Sequence, residues 1–328
     1  MINTSKPLLL IDLGFALFYR YSATQTWYKH SHPDEKDKLT KTYKWPENQE
    51  FMDKMSELFP KEIKELAKKL KIPLCNVIIA EDCRLMNNWR INVYPEYKSH
   101  RAESREKTGW CGAPAFCHLL STVLPALIES TDIKLLSHQN AESDDIISQI
   151  IIKNRKDTNG IKKFYIVASD MDYFQLLNGD TELINMKGVS QSEKMKYKPE
   201  EHLLEKILNG DKSDNIPACS FNADWVHILV PLKSKVKRNQ NDGEPKYIKC
   251  DSKILNYYRS NPKQLLLDIN YVKQNGHEYI LNFERNKTLI DFREIPNNIS
   301  NEIWKLYKDI LNTENLHTEN SHKDVNSK

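Results

Sequence analysis

Glycine is scarce in this chain, nine residues in 328, and nowhere does it form the GxxxxGK loop that cradles nucleotide phosphates. The GxSxG turn of serine hydrolases is absent as well. Six cysteines (Cys75, Cys83, Cys111, Cys117, Cys219 and Cys250) make no CxxC pair, which fits free thiols in a reducing compartment. Cys111, Cys117 and His118 match no usual zinc spacing. Long apolar runs are missing: Ile146 to Ile152 is far shorter than a membrane span, and the N-terminus enters a strand without a signal-peptide pattern. A cytoplasmic chain without a membrane partner is therefore expected. An excess of one charge is also lacking, with 48 basic and 45 acidic residues, so only local clustering can point to a polyanionic partner. No internal repeat is present.

What is there is an alternation of short apolar runs with helical patterns. Leu8 to Ile11, Val77 to Ala80, Ile133 to Leu136, Phe164 to Ala168 and Thr181 to Asn185 read as strands. Ile63, Leu66, Ala67 and Leu70 keep helical spacing over Lys61 to Leu70, ahead of Pro73, and a further helix is expected over 114–129. Residues 29–50 and 84–112 read as polar excursions. The pattern predicts a doubly wound, mostly parallel α/β sheet. After Asn185 the pattern turns helical, with Pro199 opening a helix to Leu208 that Asn209-Gly210 stops, and helices expected near 251–258, 262–274 and 300–311. Residues 313–328 are polar and read as a disordered tail.

Carboxylates gather where strands end and helices begin. They are Asp12 in LLLIDLG, Asp82 in VIIAEDC, Glu142, Asp144 and Asp145 in NAESDDII, Asp170 and Asp172 in YIVASDMD, and Asp211 and Asp214 in LNGDKSDNIP. Each has a plain alternative: Asp12 as a helix N-cap, the 142–145 acids as partners of a helix dipole, Asp170 and Asp172 as a turn, Asp211 and Asp214 as turn caps before Pro217. Their joint placement at the ligand-binding edge of an α/β sheet favours cations in their midst. Oxygen-only ligation suits magnesium or manganese, and two such ions roughly 4 Å apart serve in-line displacement at phosphorus.

The stretch after the second strand, NNWRINVYPEYKSHRAESREK with its flanks, offers Arg84, Arg90, Lys98, Arg101, Arg105 and Lys107, with Trp89, Tyr94 and Tyr97 among them. Bases can stack on such aromatics and phosphates can meet such cations, although a solvated basic loop over packed tyrosines is the plain reading. Lys233, Lys235, Lys237 and Arg238 form a second basic loop with the same two readings.

The order LLLID, AED, YKSHR, AESDD, ASDMDYFQLL, GDKSDNIP resembles the 5′-to-3′ nucleases of the flap-endonuclease superfamily over roughly residues 7–310. Within it, NFERNKTLIDFREIPNNISNEI is similar to the C-terminal stretch of the T-even phage ribonuclease H type. The resemblance implies a PIN-like catalytic domain over 1–198, with an arch at 84–112, and a helical DNA-binding region over 199–312. It implies two Mg²⁺ sites, with Mn²⁺ able to substitute. Asp12, Asp82, Glu142, Asp144 and Asp170 would serve the first ion, and Asp172, Asp211 and Asp214 the second. Asp145 matches a family acid of less definite role. Lys98 and Arg101 would bind the scissile phosphate. The implied work is removal of RNA primers and 5′ flaps in replication by a monomer, in the host cytoplasm if the source is viral. Its partners would be flapped or nicked DNA and RNA–DNA hybrid, and by analogy a single-strand DNA-binding protein at the tail. Many relatives hold a potassium ion in a glycine-rich helix–turn–helix after GDxxDNIP. Here ACSFNADWVHILVPLK lacks those glycines, which leaves a potassium site without support. A PIN-type RNA endonuclease and a non-catalytic nucleic-acid-binding module are the competing readings.

Overall fold

Continuous apolar strands, with no polar face to show to water, require cover on both sides. The computed structural model, which describes residues 2–40, 42–219 and 278–312, has such an arrangement. Strands β1 (Leu8–Asp12), β2 (Val77–Glu81), β3 (Lys134–Ser137), β4 (Phe164–Val167) and β5 (Thr181–Ile184) form one sheet in the order β3-β2-β1-β4-β5. All four pairings are parallel. The strand order reverses about β1, so the topological switch point lies at its C-terminal end. In register, Asp12 pairs with Ala80 and Ile11 with Val167. This sets the residues that follow β1, β2 and β4 along one edge.

The chain packs as two compact units. The first comprises Met1–Asn88, Ala102–Lys194 and Pro296–Lys328, the second Trp89–Arg101 and Met195–Ile295. Both are discontinuous in sequence, unlike the contiguous 1–198 and 199–312 division expected from the sequence.

In the first unit, Leu9, Ile11, Val77 and Ile79 join one core with α1 (Leu13–Ser31) and α2 (Gln49–Lys69). α7 (Ser143–Lys156) packs on β1, β2 and β3. Two helices differ from expectation. α1 carries apolar and aromatic side chains around its whole circumference, so no 3.6-residue stripe announces it. α2 begins twelve residues before Lys61. The Asn48 side chain caps it by accepting from Phe51 N–H, and one buried stripe of Phe51, Met55, Phe59, Ile63 and Leu66 outweighs the hydrogen bond that Pro60 cannot donate.

The expected excursion at 84–112 carries two short helices, α3 (Trp89–Val93) and α4 (Arg101–Thr108). The helix expected over 114–129 is present as α5 (Ala113–His118) and α6 (Leu124–Glu129), joined by a π-turn. The last helix, α10 (Asn297–Asn312), belongs to the first unit. It packs on α7 and β3, where Ser300 Oγ donates to Gln149 Oε1 at 2.6 Å and Tyr307 is fully buried.

In the second unit, α8 (Pro199–Asn209) packs on α9 (Glu278–Ile290) around Tyr97, Leu203, Ile207, Ile216 and Leu289. Gly210 stops α8 at φ +66°, and a Cβ there would meet Ile216 O at 2.2 Å, so only glycine fits. The helices expected near 251–258 and 262–274, the basic loop with Lys233, Lys235, Lys237 and Arg238, and the tail 313–328 lie outside the described residues. No single helix among the described residues is long and apolar enough to cross a membrane.

Candidate active site

β1 ends at Asp12, and the same residue caps α1: its Oδ1 accepts from Phe15 N–H at 2.9 Å. Its other oxygen, Oδ2, accepts from the Tyr173 hydroxyl at 3.0 Å. Asp82 follows β2, and its Oδ1 accepts from Ser143 N–H, the first residue of α7, at 2.8 Å. Gly14 stands between these two acids. A Cβ on it would lie 3.2 Å from Asp82 Oδ2 and 3.4 Å from Asp12 Oδ1. Burial, and behind it the charge of Asp82, pushes the Asp12 carboxyl up to about 6.

The third group of acids opens α7. Asp145 is completely buried, and its Oδ2 accepts from Glu142 N–H at 3.1 Å. Asp144 Oδ1 accepts from Asp145 N–H at 2.7 Å, and Glu142 is itself buried. The fourth group follows β4: Asp170 Oδ1 accepts from Asp172 N–H at 2.9 Å and caps a short 3₁₀ turn, Met171–Leu176. Asp170 is exposed and Asp172 half-buried.

Tyr173, in that same turn, shows which acids come together. Burial first, and then the charges of Asp12, Asp144 and Asp170, raise its hydroxyl well above the usual tyrosine value. Carboxylates from β1, α7 and the β4 turn therefore bear on one buried phenol. Asp82 joins them through Asp12 and the α7 N-terminus. The plain and the functional readings coincide at Asp12 and Asp170, which cap local structure and still bear on the same phenol.

Such crowding fits a hard divalent cation. The donors are oxygens only, and the hydrogen bonds to Asp12 and Asp82 come from neutral backbone and phenol groups. Among the described residues no three carboxylate, imidazole or thiol groups stand close enough together to hold a metal ion by themselves. The edge offers a partial ligand set, of the kind that water and substrate oxygens complete around magnesium.

The acids of the second unit are engaged differently. Asp211 accepts from Ser213 N–H at 2.7 Å and pairs with Lys206 at 2.7 Å. Against the upward push of burial, Lys206 and Ser213 hold its carboxyl below the usual range. Asp214 receives Arg101 Nη2 at 2.8 Å, the Tyr97 hydroxyl at 3.0 Å and Lys98 Nζ at 3.7 Å. Lys98 is buried, sits at φ +56°, and donates its backbone N–H to Asp214 O at 2.9 Å.

Two residues expected to touch nucleic acid are turned inward instead. Arg90 is buried, donates to Leu289 O at 2.9 Å and lies over the Trp89 ring. Tyr97 is buried with its hydroxyl on Asp214, so its ring offers no face for a base. In both, the apolar part is worth more inside the second unit's core than in water. Arg84, Arg105 and Lys107 are exposed, with Lys107 paired to Glu103. Sequence reasoning missed Gly14 and Tyr173. Both stand inside quoted motifs, one beside Asp12 and one beside Asp172, but neither carries a charge that draws attention.

Residues 7–207 match the family described as 5′-3′ exonuclease, N-terminal resolvase-like domain. The chain is 24% identical over 257 residues to the ribonuclease H of Enterobacteria phage T4, covering 75% of this chain and 74% of that protein. In fold it is similar to the bacteriophage T5 flap endonuclease in complex with DNA and metal ions, with a TM-score of 0.53, 16% identity, and 93% of this chain and 98% of that one covered. The T5 5′-exonuclease with bound zinc matches with a TM-score of 0.53 at 17% identity, over 93% of this chain and 98% of that one.

Proposed function

The chain belongs to the family of 5′-3′ exonucleases with an N-terminal resolvase-like domain, and from that premise we propose that it is a magnesium-dependent 5′ nuclease. Its substrates are DNA with 5′ flaps or nicks and RNA paired to DNA, and its task is removal of primers and flaps in replication. Manganese is expected to substitute for magnesium. The observation that carries this reading is the convergence of Asp12, Asp144 and Asp170 on Tyr173, with Asp82 beside Asp12, at the switch-point edge of the sheet. Free thiols at Cys75, Cys83, Cys111, Cys117 and Cys219 support action in a reducing cytoplasm.

In this reading Asp12, Asp82, Glu142, Asp144 and Asp170 hold the first ion. When bound, the ion supplies an activated water and charge stabilisation at phosphorus. The chain's own residues do the positioning. Phe15 N–H and Tyr173 fix both oxygens of Asp12, and Ser143 N–H fixes one oxygen of Asp82. Gly14 keeps the space between them open. Asp172, Asp211 and Asp214 are proposed for a second ion, although Asp211 and Asp214 are engaged by Lys206, Lys98 and Arg101. Lys98 and Arg101 are proposed to take the scissile phosphate, which would compete with Asp214 for their charge. Hydrolysis leaves a 5′-phosphate and a 3′-hydroxyl.

The test is cleavage of 5′-labelled flap, nicked and RNA–DNA substrates, with magnesium and with chelator. Asp82→Asn combined with Asp170→Asn is expected to abolish cleavage while leaving the fold intact by circular dichroism. Full activity in that variant would refute the assignment. Preference for single-stranded RNA over flap DNA would favour an RNA endonuclease instead.

A further inference from the structure

β3 ends at Ser137, and the short turn His138 to Ala141 carries the chain from it to Glu142 and the acids that open α7. The backbone bond across this turn, Ala141 N–H to His138 O, is long at 3.4 Å. Side chains do more to hold it. His138 is buried, 6% exposed, and its ring Nδ1 accepts from Asn140 N–H at 3.2 Å. The Asn140 side-chain amide donates to Asn87 O at 2.8 Å. Ala141 is fully buried, and its carbonyl accepts from Cys83 N–H at 3.0 Å. The turn is thus tied on one side to the residue that follows Asp82 and leads on the other into Glu142.

Because Nδ1 accepts, the ring proton sits on Nε2. Nε2 donates to Glu302 Oε2 at 2.9 Å, a link across 164 positions of sequence. Glu302 lies on α10, which is anchored farther along α7 and just beyond it: Lys153 Nζ donates to Asn301 Oδ1 and Lys308 Nζ to Asp157 Oδ2, both at 2.7 Å. A partner on each nitrogen fixes the tautomer and the orientation of the ring. Magnesium demands near-ideal octahedral geometry, with oxygens about 2.0–2.1 Å from the ion. A small drift of the turn is therefore enough to spoil the meeting of Glu142 and Asp144 with Asp82.

We propose that His138 is a positioning residue for the metal-binding edge: it sets the turn before α7, and Glu302 on the last helix holds its ring. The proposal rests on the nuclease reading above and extends it to a side chain that supplies no ligand itself.

Magnesium binding to the full chain without substrate is measured by isothermal titration calorimetry, stability by urea denaturation, and cleavage on a flap duplex. His138→Ala is expected to weaken magnesium binding about tenfold. His138→Asn should recover most of that affinity, because an asparagine oxygen accepts from the N–H two residues on as Nδ1 does here. Glu302→Ala should weaken binding several-fold in the wild type and make no difference in His138→Asn, which has lost the ring that Glu302 holds. Ser300→Ala removes a bond between α10 and α7 away from the turn. It should lower stability and leave magnesium affinity unchanged. Unchanged affinity in His138→Ala or Glu302→Ala overturns the proposal, as does a His138→Asn protein no better than His138→Ala. A loss of affinity in Ser300→Ala equal to that in His138→Ala overturns it too, since affinity would then merely follow stability. A wild type that neither binds magnesium nor cuts the flap would sink the nuclease reading itself, which separates the two failures.

Discussion

The Tyr173 hydroxyl donates to Asp12 Oδ2 at 3.0 Å, joining the turn after β4 to the end of β1 across 161 positions of sequence. Phe15 N–H holds the other oxygen, so the carboxylate is fixed in plane. Tyr173→Phe deletes one oxygen from a completely buried ring and leaves the packing in place. Loss of such a supporting partner should weaken magnesium or manganese binding about tenfold. Isothermal titration with the metal alone reads this, and an unchanged far-ultraviolet circular dichroism spectrum checks the fold. Unaltered metal affinity would show that Asp12 needs no phenol to be positioned.

Gly14 separates stability from activity. Its φ is not in the left-handed region and it lies in the first turn of α1, so alanine should favour the helix by up to about 1 kcal/mol. The added methyl would crowd Asp82 Oδ2 and Asp12 Oδ1. Gly14→Ala is expected to melt no lower than the wild type without metal, yet to bind magnesium and cleave substrate at least several-fold less well. Thermal melts run beside metal titrations decide it; a parallel fall in both would mean that the substitution damages the fold.

Asp145 is fully buried and accepts from Glu142 N–H. Asp145→Ala would orphan that donor and cost about 2 kcal/mol of stability. Asp145→Asn keeps an acceptor without the charge. If capping is its whole role, the asparagine variant should stay within about 1 kcal/mol of wild type in urea denaturation and should bind magnesium normally. Weak metal binding in a stable Asp145→Asn protein would instead make Asp145 a ligand.

Arg155 donates to both oxygens of Asp180, at 2.6 and 2.9 Å, and also to Leu176 O. Against the upward push of burial, Arg155 and Thr181 hold the Asp180 carboxyl below its usual value. The native state thus binds fewer protons here than the unfolded chain. Its stabilisation is complete above the ordinary aspartate value of about 3.9 and fades as pH falls through the lower native value. Asp180→Asn should cost about 1–2 kcal/mol at pH 7, and the gap to wild type should narrow at pH 3. Urea melts at both pH values measure it. A gap that persists at pH 3 would mean that packing rather than charge carries the effect.

Strand positions were legible because a parallel sheet buried on both faces needs unbroken apolar runs, and Leu8 to Ile11 or Phe164 to Val167 have no other use. The acids were legible because they follow those runs. Helix α1 was not, since its buried face carries Arg20 and Thr24 while Phe18 is exposed and Phe15, Tyr19 and Trp27 are half-buried, which erases the polarity period that marks an amphipathic helix. The inward turn of Arg90 and Tyr97 was hidden for a similar reason. A basic, aromatic stretch looks the same whether it faces phosphate or packs on Leu289 and Asp214.

The sequence by itself determined the strands, their order along the chain, and which residues could carry charge at the strand ends, because these depend on local polarity and on the unbroken apolar runs of a sheet covered on both faces. Only the tertiary structure decided that β1 lies between β2 and β4, and hence that the charges of Asp12, Asp144 and Asp170 bear on one phenol while Gly14 leaves room beside Asp82. Those meetings join residues far apart in the chain, and strand pairing and burial fix them rather than anything in their immediate neighbours.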